Sequence, residues 1–196
     1  NVDRWTEGGV DALPAVVYVA VAIDRPGVVK HRGRGDLVLG HATRGDDVRR
    51  VSGWFEAAGV RSRISDQIEA ELWGKLVINA MANAISALTG ASYARVAAHE
   101  PSMAVAMEVA AEAFAVARAA GIELNEEAVT AEAATIYVAM SEATSSTQQD
   151  IARGKPTEID SLNGLIARKG KALGVPTPVN RALWALVSLR EQIDAS

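Results

Sequence analysis

At Ser65 the chain changes character. Before it, valine-rich stretches are separated by turn signals. After it, alanine, leucine and glutamate recur at helical spacing and strand patterns stop. Runs rich in β-branched residues make strands, whereas apolar positions repeating every three to four residues make helices. A chain with the two textures in succession reads as an α/β portion followed by an all-α portion. We place the boundary at Ser65, giving a first domain over residues 1–65 and a helical domain over residues 66–196. The length of 196 residues suits one large domain or two small ones.

The first portion predicts a helix remnant over Asn1–Leu13, with Trp5 and Leu13 as apolar anchors. Ala15–Ile23 reads as a buried strand, and Arg25-Pro26-Gly27 as a turn. Val28–His31 and Asp36–Gly40 read as a hairpin around Arg32-Gly33-Arg34-Gly35. Asp46 and Asp47 suit the start of a helix running to Ala58, Gly59 suits its end, and Val60–Ile64 suits a further short strand. In the second portion the periodicity predicts helices over 66–89, 100–120, 126–153, 157–174 and 178–194. Gly90, Gly121 and Gly174 stand at stops, Pro101, Pro156 and Pro178 at first turns, and Asn125 and Thr157 at starts.

Composition removes several classes. There is no cysteine, so disulfide scaffolds, thiolate metal sites and a cysteine nucleophile are excluded, and a reducing compartment such as the cytoplasm fits. Hydrophobic residues make up 49% and charged residues 22%, an ordinary globular balance that excludes a disordered chain. No apolar run approaches the roughly 20 residues a membrane helix needs, and the N-terminus lacks the apolar core of a signal peptide. The chain opens on Asn1 rather than Met, as a processed, trimmed or incompletely observed chain does. The net charge of −4 argues against a nucleic-acid partner. Cations nevertheless crowd the first third, including Arg25, Lys30, Arg44, Arg49, Arg50 and Arg63. They read as a solvated face opposing nearby acids, or more sharply as attraction for an anionic ligand.

Two segments carry groups suited to chemistry. Glu71, Lys75, Asn79 and Asn83 recur every four residues and so line one face of the helix over 66–89. Leu72, Leu76, Val77, Ile78, Met81 and Ile85 cover its other sides, and a helix apolar nearly all round is a buried one. A polar row on such a helix needs partners or a ligand. Lys75 to Asn83 spans about 12 Å at 1.5 Å per residue, enough for a small-molecule cleft. The plainer alternative is a row facing solvent or paired between helices. The second segment is Thr144–Asp150 with Pro156–Asp160, whose hydroxyls suit a carboxylate and whose Glu158 suits a substrate hydroxyl or a lysine. The plainer alternative is Ser and Thr in a helical turn, with Glu158 favoured near a helix start. His31, His41 and His99 show no metal-ligand spacing, and no metal is expected. Gly33-Arg34-Gly35 lacks the third glycine and following helix of a dinucleotide turn.

Lys75-Leu76-x-x-Asn79-x-x-x-Asn83-x-x-x-Ala87-Leu88 resembles the central helix of ketopantoate reductases (2-dehydropantoate 2-reductases). Ser145–Asp150, Gly154–Asp160 with Asn163-Gly164, and Gly174–Asn180 are similar to further signatures of that family, in the same order. The resemblance covers essentially the whole chain. It implies a Rossmann NADP-binding domain, of which residues 1–65 are the C-terminal part, followed by a helical substrate-binding domain. It also implies NADPH-dependent reduction of ketopantoate to pantoate in pantothenate and coenzyme A synthesis. Lys75 is then the general acid, Glu158 its catalytic companion, and Asn79, Asn83 and Ser146 the substrate-binding residues. The glycine turn that grips the cofactor pyrophosphate is not in this sequence, and Asn1 is the one candidate cofactor contact. The chain as given is therefore expected to be incomplete for activity. The implied partners are a small 2-keto acid and, as an open expectation, a second copy in a homodimer. Two departures are visible: Ala143 stands where many members carry Asn, and Thr147-Gln148-Gln149-Asp150 replaces a common Met-Leu-Gln-Asp. They leave a related reductase for another 2-keto acid open, as the missing turn leaves open a non-catalytic helical fragment.

Overall fold

The computed structural model describes residues 12–194. By packing, the chain divides into two units, Asn1–Leu72 and Trp73–Ser196. The expected helix over Asn1–Leu13 lies almost wholly outside the described residues, as does Asn1 itself.

The first unit contains β1 (Ala15–Arg25), β2 (Val28–Leu39), α1 (Gly45–Ala57) and β3 (Arg61–Ile64). The sheet order is β1-β2-β3, antiparallel between β1 and β2 and parallel between β2 and β3. Parallel neighbours need a crossover, and α1 supplies it, so β2-α1-β3 is a βαβ unit. Ser52 of α1 and Ser62 of β3 share a hydrogen bond of 2.7 Å. Val16, Val38 and Ile68 form a small core, with Tyr18 and Leu72 packed against it.

The hairpin is not where the sequence pattern places it. Arg25 pairs with Val28, so the chain reverses at Pro26-Gly27, with Gly27 at φ 81° in the left-handed region open to glycine. Gly33-Arg34-Gly35 instead lies inside a continuous β2. Tyr18 pairs with Asp36 and Ala20 with Gly33, so Val19 opposes two residues in a β-bulge. Arg34, at φ 40°, uses the bulge: its guanidinium sits 3.8 Å from the Tyr18 ring centroid and 2.8 Å from Asp36. That hydrogen bond holds the Asp36 carboxyl below its usual range, against a smaller opposing effect of burial. Other cations of the first third are also paired nearby. Arg44 and Arg50 each reach Asp47 at 2.8 Å, Arg49 reaches Asp46, and Arg63 reaches Glu71 at 2.7 Å. The exposed face of β1 is apolar: Val17, Val19, Val21 and Ile23 all face solvent, with Val29 beside Ile23 on β2.

Helix α2 (Ile68–Thr89) carries the chain from the first unit into the second. There follow α3 (Tyr93–Ala98), α4 (Glu100–Ala119), α5 (Glu126–Ala139), α6 (Ser146–Ala152), a 3-10 turn (Ile159–Ser161), α7 (Asn163–Leu173) and α8 (Pro178–Asp194). Buried alanines such as Ala80, Ala84, Ala106, Ala110, Ala113 and Ala117 line the helix contacts, and Val77, Met81, Val109, Ile166 and Val187 fill the core. Gly90, Gly121 and Gly174 take positive φ at helix ends, and Asn125 Oδ1 accepts from Ala128 N at 2.9 Å to start α5.

Two expected helices are each broken. The helix expected over 126–153 stops at Ala139 and restarts at Ser146. Neighbouring backbone repays the interruption: Tyr93 N donates to Ala143 O and Ala94 N to Ser141 O, both at 2.9 Å. These bonds satisfy the free N–H groups at the start of α3, a short helix the periodicity does not reveal. The helix expected over 157–174 is a 3-10 turn plus α7, divided at Leu162, whose φ −104° and ψ −103° are not helical. Pro156 consequently precedes the turn rather than opening a helix.

Candidate functional site

The polar row on α2 grows more enclosed toward its C-terminal end. Glu71 is taken by the first unit, where Arg63 and Ser65 bind its carboxylate at 2.7 and 3.4 Å. Lys75 and Asn79 are half-buried, and Asn83 is only 4% exposed. On the remaining sides of the helix Val77, Ile78, Met81 and Ile85 are buried. The row is therefore the polar edge of an otherwise core-forming helix, as its sequence pattern predicts.

The Ser145-Ser146 turn docks against that edge. Ser145 is completely buried; its N donates to Ser86 Oγ at 3.1 Å and its Oγ to Asn83 O at 3.3 Å. The same Oγ accepts from Gln148 N at 3.1 Å, capping α6. Ser146 follows as the first residue of α6 and is exposed. A hydroxyl at this end of a helix lies beside free N–H groups and the positive end of the helix dipole, a setting suited to a carboxylate. Serine followed three residues later by glutamine is a capping-box pattern, the sequence signal that identifies Ser145 as the cap.

Glu158 is exposed and precedes the 3-10 turn. Its carbonyl accepts from Ser161 N at 2.9 Å and Leu162 N at 3.1 Å, and Thr157 Oγ1 accepts from Ile159 N at 3.2 Å. One residue beyond Leu162, Asn163 donates to Ala80 O on α2 at 3.3 Å. The Ser145-Ser146 turn thus reaches α2 at Asn83, and the start of α7 reaches it at Ala80, whereas Glu158 itself is exposed five residues before Asn163. Asn163 is continued by Asn180 and Glu112, residues that the helix pattern alone does not mark as belonging near this site. Gly164 is required beside Asn163, because a Cβ there would come within 2.9 Å of the Trp184 ring.

Other features lie apart from this row. A groove of about 580 Å³ between α4 and α5 is lined by Met107, Ala110, Phe114, Thr130 and Ala134, among others, and touches none of the residues above. Among the described residues no cluster of His, Asp and Glu has the makings of a metal site. His41 accepts from Thr43 N, and His99 shares a hydrogen bond with Ser102. No helix among the described residues is long and apolar enough to cross a membrane.

Residues 67–191 match the family model described as ketopantoate reductase PanE/ApbA C terminal. The 2-dehydropantoate 2-reductase of Pyrobaculum aerophilum is 36% identical over 184 residues, covering 93% of this chain and 63% of that protein. The enzyme of that name from Pyrococcus abyssi is 29% identical over 196 residues, covering 99% of this chain and 65% of the relative. This chain thus spans a little under two thirds of the curated relatives it matches. Among solved structures, a PanE/ApbA family ketopantoate reductase from Ralstonia eutropha JMP134 superposes with a TM-score of 0.85 at 45% identity, over 93% of this chain and 60% of that one. A D-mandelate dehydrogenase solved with NADH and anilino(oxo)acetate shares the fold, with a TM-score of 0.88 at 23% identity over 100% of this chain and 66% of the other.

Proposed function

Because this chain belongs to the ketopantoate reductase family, we propose that residues 66–196 are the substrate-binding and catalytic domain of an NADPH-dependent 2-dehydropantoate 2-reductase, with residues 1–65 the closing part of its Rossmann domain. The observation that carries the reading is the row Lys75-Asn79-Asn83 on a helix otherwise committed to the core, with the Ser145-Ser146 turn docked on it at Asn83. The reaction is reduction of ketopantoate to pantoate, the step that supplies pantothenate and coenzyme A synthesis.

The β2-α1-β3 unit is the framework on which a dinucleotide sits. The grip on the pyrophosphate is a different matter. Arg44, which precedes α1, makes no side-chain cap, and the sequence has no Gly-x-Gly-x-x-Gly turn. The residues present fit the framework and not the grip, so no step is assigned to cofactor-binding residues of this chain.

What these residues do is manage the substrate. Reduction of a 2-keto acid builds negative charge on the C2 oxygen. The Lys75 ammonium stabilises that charge and donates the proton that completes the hydroxyl. Asn79 and Asn83 donate to substrate oxygens from the same helix face, fixing the carbonyl against Lys75. Ser146 takes the carboxylate at the start of α6. Glu158 accepts from the substrate hydroxyl and steadies Lys75. Lys75→Ala in an enzyme with a complete cofactor domain should lower keto-acid-dependent NADPH oxidation by about 10²–10⁴-fold, the usual worth of a general acid. Turnover close to the unsubstituted enzyme would remove Lys75 from the mechanism.

A second substrate is favoured by one observation. Ala143 is half-buried in the α5–α6 turn and offers only a methyl group beside the Ser145-Ser146 turn. A site with one polar side chain fewer suits a 2-keto acid with a less polar body. Comparing kcat/KM for ketopantoate with that for simpler and aromatic 2-keto acids separates the two.

A further inference from the structure

Three residues from three helices form a hydrogen-bonded chain that ends on the backbone of α2 at Ala80. Glu112 of α4 accepts from the first N–H groups of α8, with Oε1 on Val179 N and Oε2 on Asn180 N, both at 2.9 Å. Its Oε2 also accepts from Asn180 Nδ2 at 2.8 Å. The second hydrogen of that amide goes to Val109 O at 3.2 Å. Asn180 Oδ1 in turn accepts from Asn163 Nδ2 at 3.0 Å, and the same nitrogen donates to Ala80 O at 3.3 Å. Asn163 and Asn180 are both completely buried.

The direction of this chain is fixed. Backbone carbonyls and a carboxylate can only accept, so the nitrogen of Asn180 must face Glu112 and Val109. Its oxygen must then face Asn163. By the same logic the nitrogen of Asn163 must face Asn180 and Ala80. One acceptor is left over: Asn163 Oδ1 is buried and meets no donor among the described residues. An apolar side chain of similar volume would avoid that penalty. Pairing the buried Asn180 Oδ1 accounts for one bond of the Asn163 amide, and its second, to Ala80 O, needs a separate reason.

The position of Ala80 gives one. Its carbonyl lies next to Asn79 and within a turn of Asn83, and Lys75 is one turn further back on the same face. A rotation of α2 by roughly 10° moves side-chain atoms at the helix surface by about 1 Å. Misplacement by about 1 Å in an active site can cost on the order of 10²-fold in rate. We propose that Asn163 is a positioning residue for the keto acid site. Through Ala80 O it locks the rotation of α2, and it takes its own orientation from Asn180 and, behind it, Glu112. The inference rests on the reading of Lys75, Asn79 and Asn83 given above.

The test is Asn163→Leu in an enzyme with a complete cofactor domain, with Lys75→Ala assayed beside it. Leucine keeps the volume and removes the unpaired acceptor, the bond to Ala80 O and the donor to Asn180 Oδ1. The expected result is a folded enzyme whose kcat/KM for the keto acid falls at least tenfold while its KM for NADPH stays within twofold. A kcat/KM within twofold of the unsubstituted enzyme overturns the proposal. So does an equal rise in both KM values, which marks general loosening. Should the leucine variant not fold, Asn163→Ser is judged by the same measurements, since a hydroxyl at that position is too short to bridge Asn180 and Ala80 together. If Lys75→Ala is inactive and Asn163→Leu is normal, only the positioning role fails. If Lys75→Ala is normal, the site itself is wrong and the positioning role falls with it.

Discussion

Tyr137 is a residue whose chemistry is set almost entirely by where it is buried. Its ring meets Tyr93 edge-on at 5.7 Å, and its hydroxyl is sealed from solvent with no hydrogen-bond partner among the described residues. Burial, with a smaller push from Tyr93, raises its phenol to about 12. The folded value lies above that of an unfolded tyrosine, roughly 10, so the contribution is complete below pH 10 and lost as pH climbs to 12. The expected loss across that window is about 2–3 kcal/mol. Denaturant titrations at several alkaline pH values check it: Tyr137→Phe should flatten the decline and leave stability at pH 7 equal or slightly higher. Parallel alkaline declines for the two proteins would exclude Tyr137 as its source. Asn83 makes the complementary case. Its polar side chain is as buried as its apolar neighbours, a placement the four-residue spacing from Lys75 anticipates. Nothing in that spacing says that Glu71, one turn before Lys75, would be claimed by Arg63.

The elements separate what periodicity can reveal from what it cannot. Helices α2, α4 and α8 were legible because each combines an unbroken apolar stripe with a glycine, proline or asparagine at its ends. The break between α5 and α6 was not, because Met140–Thr144 carries no strong breaker and its lost helical bonds are replaced by tertiary ones to Tyr93 and Ala94. Local sequence holds no record of partners about fifty residues away. The hairpin failed for a related reason: Gly33-Arg34-Gly35 has the composition of a turn, and the register of β1 turns it into a bulge. Ser145 is where the restarted helix is held. Ser145→Ala removes the cap on Gln148 N and the bond to Asn83 O, and should cost about 1–3 kcal/mol. Chemical denaturation reads this directly, and a change below a few tenths of a kcal/mol would mean that the turn is held by packing alone.

On the scale of the whole molecule, the two units rest on different forces. The second has an extensive alanine-lined core, whereas among the described residues of the first only Val16, Val38, Leu39, Val48 and Ile68 are buried and apolar, beside a set of arginine–carboxylate pairs at its surface. Exposed pairs of that kind contribute little each and are weakened by salt. The row of Val17, Val19, Val21 and Ile23 then acquires a consequence for handling. Together these four side chains make an exposed apolar patch on one face of β1. Such a patch is a site for self-association between chains. Solutions of this polypeptide should scatter light increasingly with concentration and with time, and Val21→Lys with Ile23→Lys should suppress the rise. Equal scattering from both proteins would mean the face is already shielded. The shelf life of a preparation, and the concentration at which it can be kept, would then be decided by four side chains far along the chain from Lys75.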